Sequence, residues 1–344
     1  MQTSRECVKR ALTGTGPDRI PICLDFDQDH LNRAITESIL QDYTSDVIIV
    51  SSYDPEFVPA GEGYSPWGYK METFGETMGE VKDRPLESWD NFHAWKSRLP
   101  DFSLERRYEN VREIRQKYPD RYVVGGLGMM MEEIINLWGY ANCMMDYYEE
   151  PEQLCQLIDC LYQIARQQID GYAAAGLDGV IAWEDWGLQK GPMMSYSLWQ
   201  EFYYDKMKDL VDYIHSKGMT YFLHSCGNIL YLLDTFAEFG IDAIQMDQQM
   251  NMGLERLSSW KGKLCFWCPV DIQHSVDMSL EEMGQYIHEM ITSLGTEDGG
   301  FMYKAYPQPA AIHMPEEQLR REIHFMQSYR YTEKAHTVSV PLTE

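Results

Sequence analysis

Residues 220–228 read TYFLHSCGN, an apolar run of strand-forming residues that reaches a histidine at 224 and turns over at Cys226-Gly227-Asn228. Asp247 follows Cys226 by 21 residues, and Cys268 follows Asp247 by 21. A strand, a short helix and two loops fill such an interval, so the three positions can fall at equivalent points of successive parallel strands. His224 and Cys226 are two apart, and in an extended segment they project to the same side. A histidine, two cysteines and a carboxylate gathered at one end of a barrel offer the donors of a zinc site.

The same rhythm extends outward. Apolar runs at Ile20–Phe26, Asp46–Ser52, Arg121–Leu127, Gly179–Glu184, Thr220–His224, Asp242–Asp247, Lys263–Cys268 and Gly300–Lys304 read as eight strands, nearly continuous in apolar residues as strands covered on both faces should be. Amphipathic stretches lie between them. Pro151-Glu152 opens a long helix that Gly176 closes, Ser195 caps another that runs to Gly218, and Ser279 with Glu282 forms a capping box before a third. Eight strand–helix units predict an α/β fold, a (β/α)8 TIM barrel. The stretch 53–104, rich in glycine and aromatic residues, interrupts the rhythm. It is expected to be an insertion after the second strand, a small hairpin over the barrel mouth. Residues 1–331 are expected to form one barrel domain, with 332–344 a loosely packed tail.

The chain carries 29 basic and 54 acidic residues, a formal net charge of −25. That argues against nucleic acid and anionic membranes as partners and favours a partner with a basic face. The charged start, MQTSRECVKRALTG, reads as an amphipathic helix and not as a signal peptide, and no apolar run is long enough to span a bilayer. Eight cysteines scattered through 344 residues look like reduced thiols, so a cytoplasmic protein is expected. The oligomeric state is open, with a homodimer among the alternatives.

In (β/α)8 barrels the working residues sit where the strands end. Strand one ends at Asp25-Phe26-Asp27, strand four at Glu184-Asp185-Trp186, strand five at His224-Ser225-Cys226-Gly227-Asn228, strand six at Asp247, strand seven at Cys268 and strand eight at Lys304. His224, Cys226, Asp247 and Cys268 are the expected metal ligands. Cys265 is the competing thiol, set aside because it lies mid-strand, whereas Cys268 stands just before Pro269. Glu184 and Asp185 are candidate acid/base groups or substrate acceptors. Gln189 and Asn228 could orient a bound ligand, and Lys304 could offset the carboxylates or hold a substrate anion. Tyr53, Trp67, Tyr69, Trp183 and Trp186 suggest an aromatic-lined mouth.

These motifs resemble the uroporphyrinogen decarboxylase superfamily. SRECVKRALTGTGPDRIPI (4–22) is similar to its N-terminal signature. WEDWGLQKGPMMSYSLWQEFYYDKMKDLVDYIHSKGMTYFLHSCGNI (183–229) is similar to its most recognisable block, and GYANCMMDYYEEPEQL (139–154) and GIDAIQMD (240–247) also fit. The resemblance spans roughly residues 3–327. Its true decarboxylases carry an arginine after strand one that grips substrate carboxylates. This chain has CLDFDQDHL (23–31) there, with Asp25, Asp27 and Asp29 and no arginine. Its other branch comprises zinc-dependent methyltransferases that work with corrinoid proteins. That branch implies zinc, a cobalamin carried by a partner corrinoid protein, and a small methylated substrate or thiol, an aryl methyl ether being one such substrate. His224, Cys226 and Asp247 match its ligand pattern. Its later cysteine lies near strand eight, where this chain has Lys304-Ala305-Tyr306, so either Cys268 substitutes or the site has three protein ligands. The rival readings are a metal-free decarboxylase and a non-catalytic corrinoid- or tetrapyrrole-binding protein.

Overall fold

The computed structural model describes residues 2–26, 30–72, 79–128 and 130–329. Asp27, Asp29 and the tail 332–344 lie outside the described residues. Eight parallel strands form a nearly closed barrel: β1 (Ile22–Cys23), β2 (Val47–Val50), β3 (Tyr122–Gly126), β4 (Gly179–Trp183), β5 (Thr220–His224), β6 (Ala243–Gln245), β7 (Cys265–Cys268) and β8 (Phe301–Lys304). Neighbours follow chain order from β2 round to β8, which pairs with β1. No ladder joins β1 to β2. The seam is closed by Asp46, whose N–H donates to the Ile22 carbonyl at 2.7 Å and whose carboxylate accepts from the Ile22 N–H at 2.9 Å. Ser45 Oγ accepts from the Leu24 N–H beside it.

Strand residues alternate between two cores, as pleated geometry requires. Val47, Val124, Ile181, Phe222, Ala243, Cys265, Trp267 and Met302 fill the barrel, with Val8 and Ala11 of the helix Ser4–Thr13 packed against them. Val123, Val180, Leu223, Ile244, Phe266, Cys268 and Tyr303 face outward into the larger core under the helices. The predicted helix signals are present: Pro151 starts Pro151–Ala174, Ser195 Oγ accepts from the Leu198 N–H, and Ser279 and Glu282 form a reciprocal capping box. Such caps contribute about 1 kcal/mol each.

The insertion contains a short antiparallel hairpin, Lys70–Glu72 against Glu80–Asp83. It is fastened by aromatics: Trp95 Nε1 donates to the Trp67 carbonyl at 2.7 Å, and Trp67 stacks on Phe102 with ring centroids 5.3 Å apart. Trp67 also fills the space beside Gly128, where a Cβ would come within 2.5 Å of its ring. The insertion therefore rests on the rim at the end of β3. No helix among the described residues is long and apolar enough to cross a membrane.

Candidate metal centre

The end of β5 and the loop after β4 are held together backbone to backbone. Gly227 has φ +75°, and a Cβ there would sit 2.2 Å from the Gly187 carbonyl oxygen, so only glycine fits. The Asn228 N–H donates to the Leu188 carbonyl at 2.9 Å, and the Trp186 N–H donates to Ser225 Oγ at 3.0 Å. This contact delivers Asp185 to Cys226: Asp185 Oδ1 accepts the Cys226 N–H at 2.8 Å.

Three donors converge as a result. His224 Nε2 lies 3.4 Å from Cys226 Sγ and 3.4 Å from Asp185 Oδ1. One ligand atom from each residue falls within 4.8 Å of the others. Zinc bonds of about 2.0–2.3 Å in a tetrahedron set donor atoms roughly 3.4–3.6 Å apart, so the nitrogen, sulfur and oxygen present fit three of the four positions around a zinc ion. The other ring nitrogen is engaged. In the strand register Gln245 of β6 lies beside His224, and its Oε1 accepts from His224 Nδ1. Gln245 Nε2 in turn donates to Asp247 Oδ1 at 2.6 Å. This relay fixes the tautomer that leaves Nε2 free for a metal.

The electrostatics are those of a cation site. Burial disfavours a charged His224 ring, but the hydrogen bonds to Asp185 and Cys226 and the nearby Cys226 and Asp247 outweigh it and hold its pKa well above the usual value. Burial raises the Asp185 carboxyl, but the hydrogen bond from His224 outweighs it and the net shift is downward. Burial raises the Cys226 thiol, and His224 acts against that rise. A proton on His224 Nε2 and a metal compete for the same place.

The sequence-predicted residues separate accordingly. His224 and Cys226 meet, and Asp185, expected as an acid/base group, is their third donor. Asp247 lies behind them, held by Gln245. Cys268 is turned away: it belongs with Phe266 on the outer face of β7, whereas Cys265 and Trp267 face inward. An equal interval in sequence carried it to the right strand but to the wrong parity. Glu184 also faces outward. It is buried, and its Oε2 has no hydrogen-bond partner among the described residues. Burial, chiefly, pushes Glu184 up to about 8. It is not among the donors that converge on His224. Gln189 is exposed and bonded to Gln273 across the rim at 3.1 Å, and the Asn228 side chain accepts from the Leu230 N–H at 3.3 Å. Neither side chain reaches the donors. Lys304 is buried, in register with Cys23 of β1. Of the aromatics, Trp183 is half-buried beside His224 in the β4–β5 register, whereas Trp186 is buried against Trp199 and Tyr203.

Two residues were missed. Gln245 is a neutral amide within a strand. Glu132 stands in the first turn of the helix after β3, whose strand end carries no polar group. Burial first, and the Asp185 carboxylate second, push Glu132 up to about 7, while His224 acts the other way.

Fold and site together define a (β/α)8-barrel protein with a metal-type donor set at the C-terminal mouth. The chain belongs to the uroporphyrinogen decarboxylase (URO-D) family, whose model matches residues 67–289. Among solved structures, a methyltransferase from Methanosarcina mazei superposes with a TM-score of 0.68 at 13% identity, over 95% of this chain and 98% of that one. Native xylanase 10B from Thermotoga maritima aligns with a TM-score of 0.44 at 9% identity, over 94% and 98%. At these identities the likeness is one of fold. No curated protein matches the chain in sequence.

Proposed function

We propose that the protein is a zinc-dependent methyltransferase that moves a methyl group between a small methylated substrate or thiol and a cobalamin carried by a corrinoid protein. The convergence of Asp185, His224 and Cys226 at the mouth of a URO-D barrel is the observation that carries this reading. A zinc ion held by these three supplies a Lewis acid that acidifies a thiol or draws electrons from an ether oxygen. The chain's own residues do the rest. Gln245 and Asp247 keep His224 in its ligating tautomer. The Gly187–Gly227 contact keeps Asp185 on Cys226. Trp183, beside His224, offers a flat apolar wall that favours an aryl methyl ether as substrate.

Decarboxylation of a polycarboxylate is disfavoured by the same mouth. Asp185 and Asp247 both stand at strand ends around His224, and carboxylates there repel such a substrate. The test is anaerobic incubation of the zinc-loaded protein with cob(I)alamin and a panel of methoxyaromatics, or with methylcobalamin and thiols, followed by the cobalamin spectrum. Conversion that depends on the protein and on Cys226 is expected. No conversion in either direction across the panel overturns the proposal.

A further inference from the structure

Arg107 is a buried cation without an anion. It is 4% exposed, and its Nε is buried with no hydrogen-bond partner. No ion pair or side-chain hydrogen bond engages its guanidinium among the described residues. The contact it does make is with a ring: its guanidinium carbon lies 4.5 Å from the centre of Phe102. That attraction between a charge and a ring face gives none of the five N–H groups an acceptor oxygen. The acids whose charge reaches Arg107, Asp54 and Asp101, are engaged elsewhere. Asp54 holds Arg106 through hydrogen bonds of 2.8 and 3.0 Å, and Asp101 accepts from the N–H and Oγ of Ser103 at 2.9 and 2.6 Å. Arginine is almost never fully buried unless paired, and native structures supply partners to buried polar groups.

Contacts fix where this cation stands. The Arg107 carbonyl accepts from the Tyr53 N–H at 3.2 Å, and Asn110 Nδ2 donates to the Ser51 carbonyl at 2.9 Å. Residues 107–110 are thereby laced to the chain that leaves the mouth end of β2. Phe102 stacks on Trp67, whose ring covers Gly128 just beyond β3. Between the two lies Ser52. Its N–H donates to Tyr172 Oη at 3.1 Å, and its Oγ is buried without a partner. The Tyr172 ring in turn packs edge-on against Tyr108, the neighbour of Arg107, with centroids 5.5 Å apart. A guanidinium and a hydroxyl without acceptors thus belong to one stretch of the rim, where β2 and β3 end.

We infer that Arg107, with Ser52, forms an oxyanion-binding site on this rim that takes the acid group of a small ligand. A guanidinium presents a fork of N–H donors that matches the oxygens of a carboxylate or a phosphate, and it stays charged when buried. One cation suits a ligand with one acid group, in contrast to a polycarboxylate. The site is separate from Asp185, His224 and Cys226 and needs no metal.

The experiment uses the full chain without added metal, so its result does not depend on the zinc reading. Wild type, Arg107→Met, Arg107→Lys and Ser52→Ala are titrated at constant ionic strength with acetate, benzoate and inorganic phosphate. Chloride is the reference, and calorimetry and the melting temperature are the readouts. The wild type is expected to bind at least one of the three oxyanions saturably, one per chain, and to melt higher when it does. Arg107→Met should weaken that binding by about 10- to 100-fold, the range of hydrogen bonds to a charged group. Arg107→Lys, which keeps the charge and loses the fork, should restore part of it, and Ser52→Ala should show a smaller loss. Binding of acetate and benzoate in preference to phosphate assigns the site to an organic acid, and the reverse order assigns it to a phosphate. Without ligand, Arg107→Met should melt no lower than the wild type, because it removes a buried charge that has no partner. A wild type that binds none of the three anions saturably overturns the inference, as does equal binding by wild type and Arg107→Met.

Discussion

Replacing Gln245 by leucine keeps the volume of a buried strand residue and removes both of its hydrogen bonds. Gln245 is 1% exposed and bridges His224 Nδ1 to Asp247 Oδ1, the latter at 2.6 Å. In the variant the histidine ring loses the acceptor that fixes its tautomer, and a buried carboxylate loses its donor. Removing a partner that orients a ligating histidine lowers metal affinity by about 10- to 100-fold, or roughly 1.4–2.7 kcal/mol. Each polar group left unsatisfied costs about 1–3 kcal/mol of stability. Zinc competition against a chromophoric chelator measures the first effect, and thermal unfolding of the metal-free protein measures the second. Both should move together in Gln245→Leu. Zinc affinity within twofold of the wild type would refute the view that the Asp247–Gln245–His224 relay sets the site.

Three further outcomes follow from other parts of the structure. Cys268→Ala removes a buried sulfur from the outer core, so it should lower stability by about 1 kcal/mol and leave zinc affinity unchanged; loss of zinc would restore Cys268 as a ligand. Gly227→Ala places a Cβ 2.2 Å from the Gly187 carbonyl oxygen at φ +75°, so it should cost roughly 1–3 kcal/mol and weaken zinc binding by displacing Cys226 from Asp185, both read by melting and metal competition. Glu322 is pushed up to about 8, chiefly by burial, with the hydrogen bond from Tyr303 acting the other way. Between the ordinary carboxyl range and that value the folded state binds the extra proton, so stability falls as pH rises. Glu322→Gln should melt progressively above the wild type from pH 5 to pH 8, and parallel melting curves across that window would contradict the assignment.

The barrel was legible because its strands are short apolar runs separated by well-capped helices, and both signals are local. His224 and Cys226 were legible because their spacing of two defines one side of an extended segment. Cys268 was misplaced because an interval along the chain says nothing about parity: Cys226 and Asp247 lie two residues beyond their strands, whereas Cys268 is the last residue of β7 and faces out. The roles of Glu184 and Asp185 differ for the same reason, one residue apart on opposite faces. Asp185 becomes a donor only through the contact of Gly187 with Gly227, a juxtaposition of two loops that no single stretch encodes. Glu132 was not singled out because it lies on a helix and not at a strand end, although a pair of acidic residues opening the helix directly after β3 was there to be read. The residues matched by the uroporphyrinogen decarboxylase family model begin at 67 and include β3 to β7, so every donor of the proposed centre lies inside the family's own region.

The central claim is a zinc ion held by Asp185, His224 and Cys226. Elemental analysis of protein purified without added metal, set beside His224→Ala, Cys226→Ser and Cys268→Ala, tests it most directly. Close to one zinc per chain is expected in the wild type and in Cys268→Ala, with little in the other two. A wild type without zinc, or a Cys226→Ser variant that keeps its full complement, would contradict the account.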